Sequence, residues 1–124
     1  MAKTILIVDD SNTMRSLLEL SLKSLGDLKV VTAKNGAEAL DKMKASAPAL
    51  VFVDVNMPVM NGLEFIEQVR NVRNDKSTPI VIITTQGDED HVRKGMSLGA
   101  TAYLTKPVNG ARLLETALKL LGRG

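Results

Sequence analysis

The chain has 124 residues, 44% hydrophobic and 24% charged, with a net charge of +2 and neither cysteine nor tryptophan. That size suits one domain over residues 1–124 with one core, and the missing cysteines exclude disulfides and thiolate metal sites. Scattered basic residues, a single tyrosine and two phenylalanines speak against a nucleic-acid surface built on base stacking.

After Met1-Ala2-Lys3-Thr4 comes Ile5-Leu6-Ile7-Val8, an apolar run too short for a signal peptide or a membrane span. A cytoplasmic protein is expected. The run reads as a buried strand and ends in Asp9-Asp10. Ser11 or Asn12 can cap a helix there, and Met14, Leu17, Leu18, Ser21, Leu22 and Leu25 recur at helical spacing up to Gly26. Residues 28–32 form a more polar strand, expected at a sheet edge. Asn35-Gly36 reads as a turn, and Ala37, Ala39, Leu40, Met43 and Ala47 as a short helix before Pro48.

Leu50-Val51-Phe52-Val53 runs straight into Asp54 and then breaks at Pro58, the pattern of a buried parallel strand with an acid at its carboxyl end. A helix carrying Leu63, Phe65, Ile66 and Val69 follows, then a polar loop over 71–77. Pro79 introduces the strand Ile80 to Thr85. A mixed helix over 88–98 stops at Gly99. Ala102 to Thr105 is the last strand, followed by Lys106-Pro107, and Asn109 or Gly110 opens a final helix to about Leu121.

Five strands alternating with helices over short connections predict an α/β fold, a (βα)5 doubly wound parallel sheet. Right-handed crossovers and the polar second strand favour the order 2-1-3-4-5. Parallel strands share one direction, so Asp9, Asp10, Asp54, Thr84 and Lys106 converge on one edge. Two like charges about 4 Å apart repel by roughly 4 kcal/mol at an effective dielectric near 20. Either the carboxyl pKa values rise or a cation sits among them. An all-oxygen site suits Mg²⁺. With a lysine and a hydroxyl, it has the parts to hold a phosphoryl group, and a central carboxylate can serve as nucleophile.

Val8-Asp9-Asp10, Asp54 with Met57-Pro58 and Asn61-Gly62, Thr84, and Lys106-Pro107 stand in order along the whole chain. In these motifs the sequence resembles the receiver domains of bacterial two-component response regulators, in particular the single-domain CheY-like kind. That family has the strand order 2-1-3-4-5, so the order is not independent support. The resemblance implies that Asp54 is the phosphoacceptor. It implies that Asp10 and Asp54 bind Mg²⁺ by their side chains, Asn56 by its backbone carbonyl, and Asp9 mostly through a metal-bound water. Lys106 would contact the phosphoryl oxygens, with a cis bond to Pro107. Thr84 would swing toward the phosphoryl group and Tyr103 would turn inward into the space it leaves. Asn56 and Gln86, at the mouth of the pocket, would influence the lifetime of the phosphoryl group.

The plainer readings stand beside these: helix-start acids for Asp9 and Asp10, a strand-end hydroxyl for Thr84, a solvated Lys106 and a half-buried Tyr103. His91 reads as solvent-exposed on a polar helix, and Met57 and Met60 as partly exposed beside the site. On the last helix, Leu113, Ala117 and Leu120 fit the sheet as well as Leu114, Leu118 and Leu121 do. The leucines left over would give either a wide core face or an apolar docking surface.

The expected function is that of a non-enzymatic module, catalysing only its own phosphorylation and dephosphorylation. The phosphodonor would be a CheA-like sensor histidine kinase. The target would bind the face of the fourth helix, last strand and last helix; chemotaxis, with a flagellar motor switch protein, is the first expectation. The alternative is a phosphorelay shuttle to a histidine phosphotransfer domain. A Mg²⁺-dependent aspartyl phosphatase would want a second acid where Asn56 stands, and a flavin carrier would want a hydroxyl-rich loop where Asp9 and Asp10 stand. The chain is expected to be a monomer with no nucleic-acid or membrane partner.

Overall fold

The computed structural model describes residues 3–122. Five strands, β1 (Lys3–Val8), β2 (Leu28–Ala33), β3 (Leu50–Asp54), β4 (Ile80–Thr85) and β5 (Ala102–Lys106), form one sheet in the order β2-β1-β3-β4-β5. Every neighbouring pair is parallel. The helices are α1 (Asn12–Lys23), α2 (Gly36–Ser46), α3 (Gly62–Glu67), α4 (Glu89–Leu98) and α5 (Gly110–Leu120). None of the described helices is long and apolar enough to cross a membrane.

The central strands are apolar at successive positions because both faces of the sheet are covered. Leu6, Val8, Val51, Val53, Ile80 and Ile82 pack on one side with Ala39, Leu40, Met43, Phe65 and Ile66. Ile5, Ile7, Leu50, Phe52, Val81 and Ile83 pack on the other with Leu18, Leu22, Leu113, Ala117 and Leu121. Each fully buried Leu, Ile or Phe contributes about 1.5–3 kcal/mol of transfer free energy. β2 lies at the edge, and its residues before Ala33 are only partly buried or exposed, as its polar composition requires.

Short polar side chains start the helices. Ser11 accepts a hydrogen bond from the Met14 N–H, and Asn109 accepts from Ala111 and Arg112. Asn61 and Glu64 form a reciprocal capping box at α3. Asn35 does the same work for α2, accepting from Glu38 N–H. The chain turns at Asn35-Gly36 as expected, and the same two residues start the helix, Asn35 as its cap and Gly36 as its first residue.

Several expectations change. Leu17 is 55% exposed, because the α1 stripe is narrower than its leucine count. Met57 is buried, folded under the loop that follows β3. The helix after that loop does not stop before Asn71; it widens into a π-helical turn over Gln68–Val72. On the last helix and its cap the buried set is Leu113 and Ala117, from one expected stripe, and Leu121, from the other. Leu114 and Leu120 pack partly against the same core, which favours the wide core face over a bare apolar one.

Candidate metal centre

Sheet register builds the site. Val8 pairs with Val53, so Asp9, the next residue, comes level with Asp54. Asp54 pairs with Ile83, and Thr84 follows it. Thr85 pairs with Lys106. Four elements thus deliver their last residues to one edge, where parallel open sheets leave a crevice.

One oxygen from each of Asp9, Asp10 and Asp54 lies within 4.8 Å of the others. Asp9 and Asp54 are buried, whereas Asp10 is exposed. The Lys106 ammonium donates to Asp54 Oδ2 at 3.0 Å, and Asn56 N–H donates to Asp54 Oδ1 at 3.1 Å. Asp9 Oδ1 accepts from Ser11 N–H at 2.9 Å, but its buried Oδ2 has no hydrogen-bond partner among the described residues. The Asp9 carbonyl accepts from Arg15 at 2.6 Å, which ties the loop bearing two of the acids to the second turn of α1. Gly62 closes the site from behind. A Cβ there would lie 2.5 Å from the Asp54 carbonyl oxygen, so no larger residue lets α3 start so close to β3.

The electrostatics follow from this crowding. Burial raises the Asp9 pKa above 3.8; the Ser11 bond and Lys106 oppose that shift, while the charges of Asp54 and Asp10 reinforce it. For Lys106, burial pulls downward, but the hydrogen bond and charge of Asp54, with Asp9 and Asp10, win and hold it above 10.5. A buried carboxylate oxygen without a hydrogen-bond partner among the described residues, beside two further acids, fits coordination to a cation. Oxygen-only donors with no His or Cys among them fit a hard dication such as Mg²⁺.

Thr84 is buried, with its hydroxyl toward Asp88 Oδ2 at 3.4 Å. Tyr103 is 48% exposed, so its ring points outward. It lines a cavity of about 380 Å³ together with Thr84, Gln86 and Asp88. Asn56 and Gln86 are exposed. The Lys106–Pro107 peptide bond is cis. The structure therefore gathers Asp9, Asp10, Asp54 and Lys106 into one cluster. Thr84 sits beside them on the next strand, and Tyr103 lies farther out.

His91 differs from its expected place in open solvent. It is partly covered and bonds Asp88 Oδ2 through Nδ1 at 2.5 Å. The i, i+3 spacing of Asp88 and His91 was a readable signal for that pair. Arg70 is a buried cation for which the pattern gave no sign. It donates to the carbonyls of Gly99, Asp75 and Thr78, joining the ends of α3, α4 and the loop before β4.

Residues 5–118 match the model of the response regulator receiver domain family. The chain is 39% identical over 119 residues to chemotaxis protein CheY1 of Helicobacter pylori, covering 95% of this chain and 96% of that one. It is 36% identical over 121 residues to a chemotaxis protein CheY homolog of Campylobacter jejuni, covering 97% and 93%. Among solved structures, chemotaxis protein CheY4 of Vibrio cholerae is similar with a TM-score of 0.88 and 38% identity, covering 97% and 99%.

Proposed function

The chain belongs to the response regulator receiver domain family, and we propose from that premise that it is a phosphorylation-controlled binding module acting in the cytoplasm. The observation that carries the reading is the buried Asp54, held by Lys106 at 3.0 Å inside a cluster of three carboxylates in which Asp9 Oδ2 has no hydrogen-bond partner among the described residues. The phosphodonor is a phosphohistidine of a sensor histidine kinase. A carboxylate oxygen of Asp54 attacks phosphorus, the P–N bond breaks, and its electron pair stays on the imidazole nitrogen, which takes up a proton.

Asp9, Asp10 and Asp54, with the carbonyl of Asn56, would hold Mg²⁺. When bound, the ion neutralises the crowded carboxylates and the charge gathering on the phosphoryl oxygens. Lys106 supplies a second, fixed positive charge on the same group and stays protonated through the physiological range. Asn56 and Gln86 stand exposed beside the site and modulate how readily water reaches the acyl phosphate. Neither is an acid or base, so the chain is read as catalysing only its own phosphorylation and dephosphorylation.

Phosphorylation adds charge at Asp54, and Thr84 donates its hydroxyl to the new oxygens. Tyr103 turns into the cavity that Thr84 lines. The two packings of the α4–β5–α5 face then differ in affinity for a target, which is how a local charge becomes a signal. The names of the relatives favour chemotaxis, with a flagellar motor switch protein as target. The test is affinity capture with the chain held phosphorylated, against the same chain carrying Asp54→Asn. A target retained only by the phosphorylated parent supports the proposal. A target retained equally by both, or loss of the phosphoryl group to a histidine phosphotransfer domain with no target bound, contradicts it.

A further inference from the structure

Asp88 stands at the N-cap position of α4, yet its side chain caps nothing. Aspartate there usually accepts a hydrogen bond from a backbone N–H of the first turn. Here Oδ2 faces the Thr84 hydroxyl at 3.4 Å and His91 Nδ1 at 2.5 Å instead. The chain between Thr84 and Asp88 makes this possible. Gly87 takes a φ of +87°, and Asp88 N–H returns to the Thr85 carbonyl at 3.1 Å, which folds the carboxylate back over the end of β4. Thr84 is 2% exposed, so water does not compete freely for its hydroxyl.

We propose that Asp88 is a latch on Thr84. With its carboxylate oriented by His91, it holds the hydroxyl turned away from Asp54 and so sets how tightly the site takes a phosphoryl group. This rests on the reading of Asp54 as acceptor and Thr84 as the residue that closes on the phosphoryl oxygens. A threonine hydroxyl has one proton to donate. It cannot serve the Asp88 carboxylate and a phosphoryl oxygen together, so occupation of the site has to break the latch. Only molecules with the latch open are fully competent, and the apparent affinity is lowered by that fraction.

The probe is beryllofluoride with Mg²⁺, which imitates a phosphoryl group on a carboxylate without forming a stable covalent bond. Its affinity would be titrated calorimetrically on the parent chain, Asp88→Ala, Thr84→Ala and the double variant. The latch predicts binding about threefold to tenfold tighter for Asp88→Ala, the scale of one modest hydrogen bond released. It also predicts no gain from Asp88→Ala when Thr84 is already alanine. Unchanged or weaker binding by Asp88→Ala overturns the latch. So does an equal gain in the Thr84→Ala background, which would mean only that one negative charge has left the neighbourhood of an anion site. Failure of the parent chain to bind the probe overturns the reading of Asp54 itself, and the latch falls with it.

Discussion

Asp9 is 1% exposed, with one carboxylate oxygen unpartnered among the described residues and the charges of Asp54 and Asp10 nearby. Its pKa is raised in the folded chain, chiefly by burial. A raised carboxyl pKa means that the folded state binds its proton more tightly than the unfolded state does. The stabilising contribution is full below the ordinary 3.8 and is lost as pH rises through the raised value, so at neutral pH the ionised group opposes folding. Asp9→Asn is therefore expected to stabilise the metal-free chain at pH 7 by about 1–2 kcal/mol, the usual yield of removing one such liability. The same variant is expected to lose much of the rise in melting temperature that Mg²⁺ gives the parent. Thermal melts of both proteins with and without Mg²⁺ check this; destabilisation without metal would contradict it.

The acids themselves were legible residue by residue, because an acid directly after an apolar strand has no packing reason to be there. The contact of Asp88 with Thr84 and the burial of Arg70 were not. The partners of these two residues are a buried hydroxyl and backbone carbonyls, and nothing in a one-dimensional pattern marks a carbonyl as needing a donor.

At the scale of elements, the turn between the π-helical segment and β4 is held by one carboxylate. Asp75 accepts from the N–H groups of Ser77 and Thr78 and from the Thr78 hydroxyl, with Arg70 3.9 Å away. Burial pushes its pKa up, but the bonds from Thr78 and Ser77 and the charge of Arg70 outweigh it and hold it below 3.8. With a depressed folded value, the contribution is present above the unfolded pKa and lost as pH falls through the folded one. Asp75→Asn is expected to cost about 1–2 kcal/mol at pH 7, and the gap to the parent is expected to close as pH drops below about 4. Urea unfolding across that range measures it; a gap that stays constant into acid would show that the charge is not what holds the turn.

Helix and strand types were readable because apolar runs and helical spacing differ clearly. The α5 face was not readable, since leucines at 113, 114, 118, 120 and 121 leave two stripes of nearly equal weight. Packing decides between them, and Leu113, Ala117 and Leu121 share their core with Leu18 and Leu22 of α1, far away in sequence. The π-helical turn was equally hidden, because an extra residue in one helical turn leaves no gap in composition.

For the molecule as a whole, strand direction does the organising. Parallel pairing sends every carboxyl end to one edge, so residues as far apart in sequence as Asp9, Asp54 and Lys106 meet without any loop having to reach. That convergence, and with it most of the site, followed from recognising strands and their order. The resting arrangement of Thr84 and the outward Tyr103 required coordinates, because both depend on side-chain rotation at fixed backbone.

The proposed role of this edge is to make Asp54 a phosphoryl acceptor. Intact mass after incubation with acetyl phosphate and Mg²⁺ tests it directly, with fragment mapping to locate the adduct. The expected result is a gain of about 80 Da, one phosphoryl group on a nucleophilic carboxylate, placed on Asp54, dependent on Mg²⁺ and absent from Asp54→Asn. An unmodified mass, or an adduct that persists in Asp54→Asn, would contradict it.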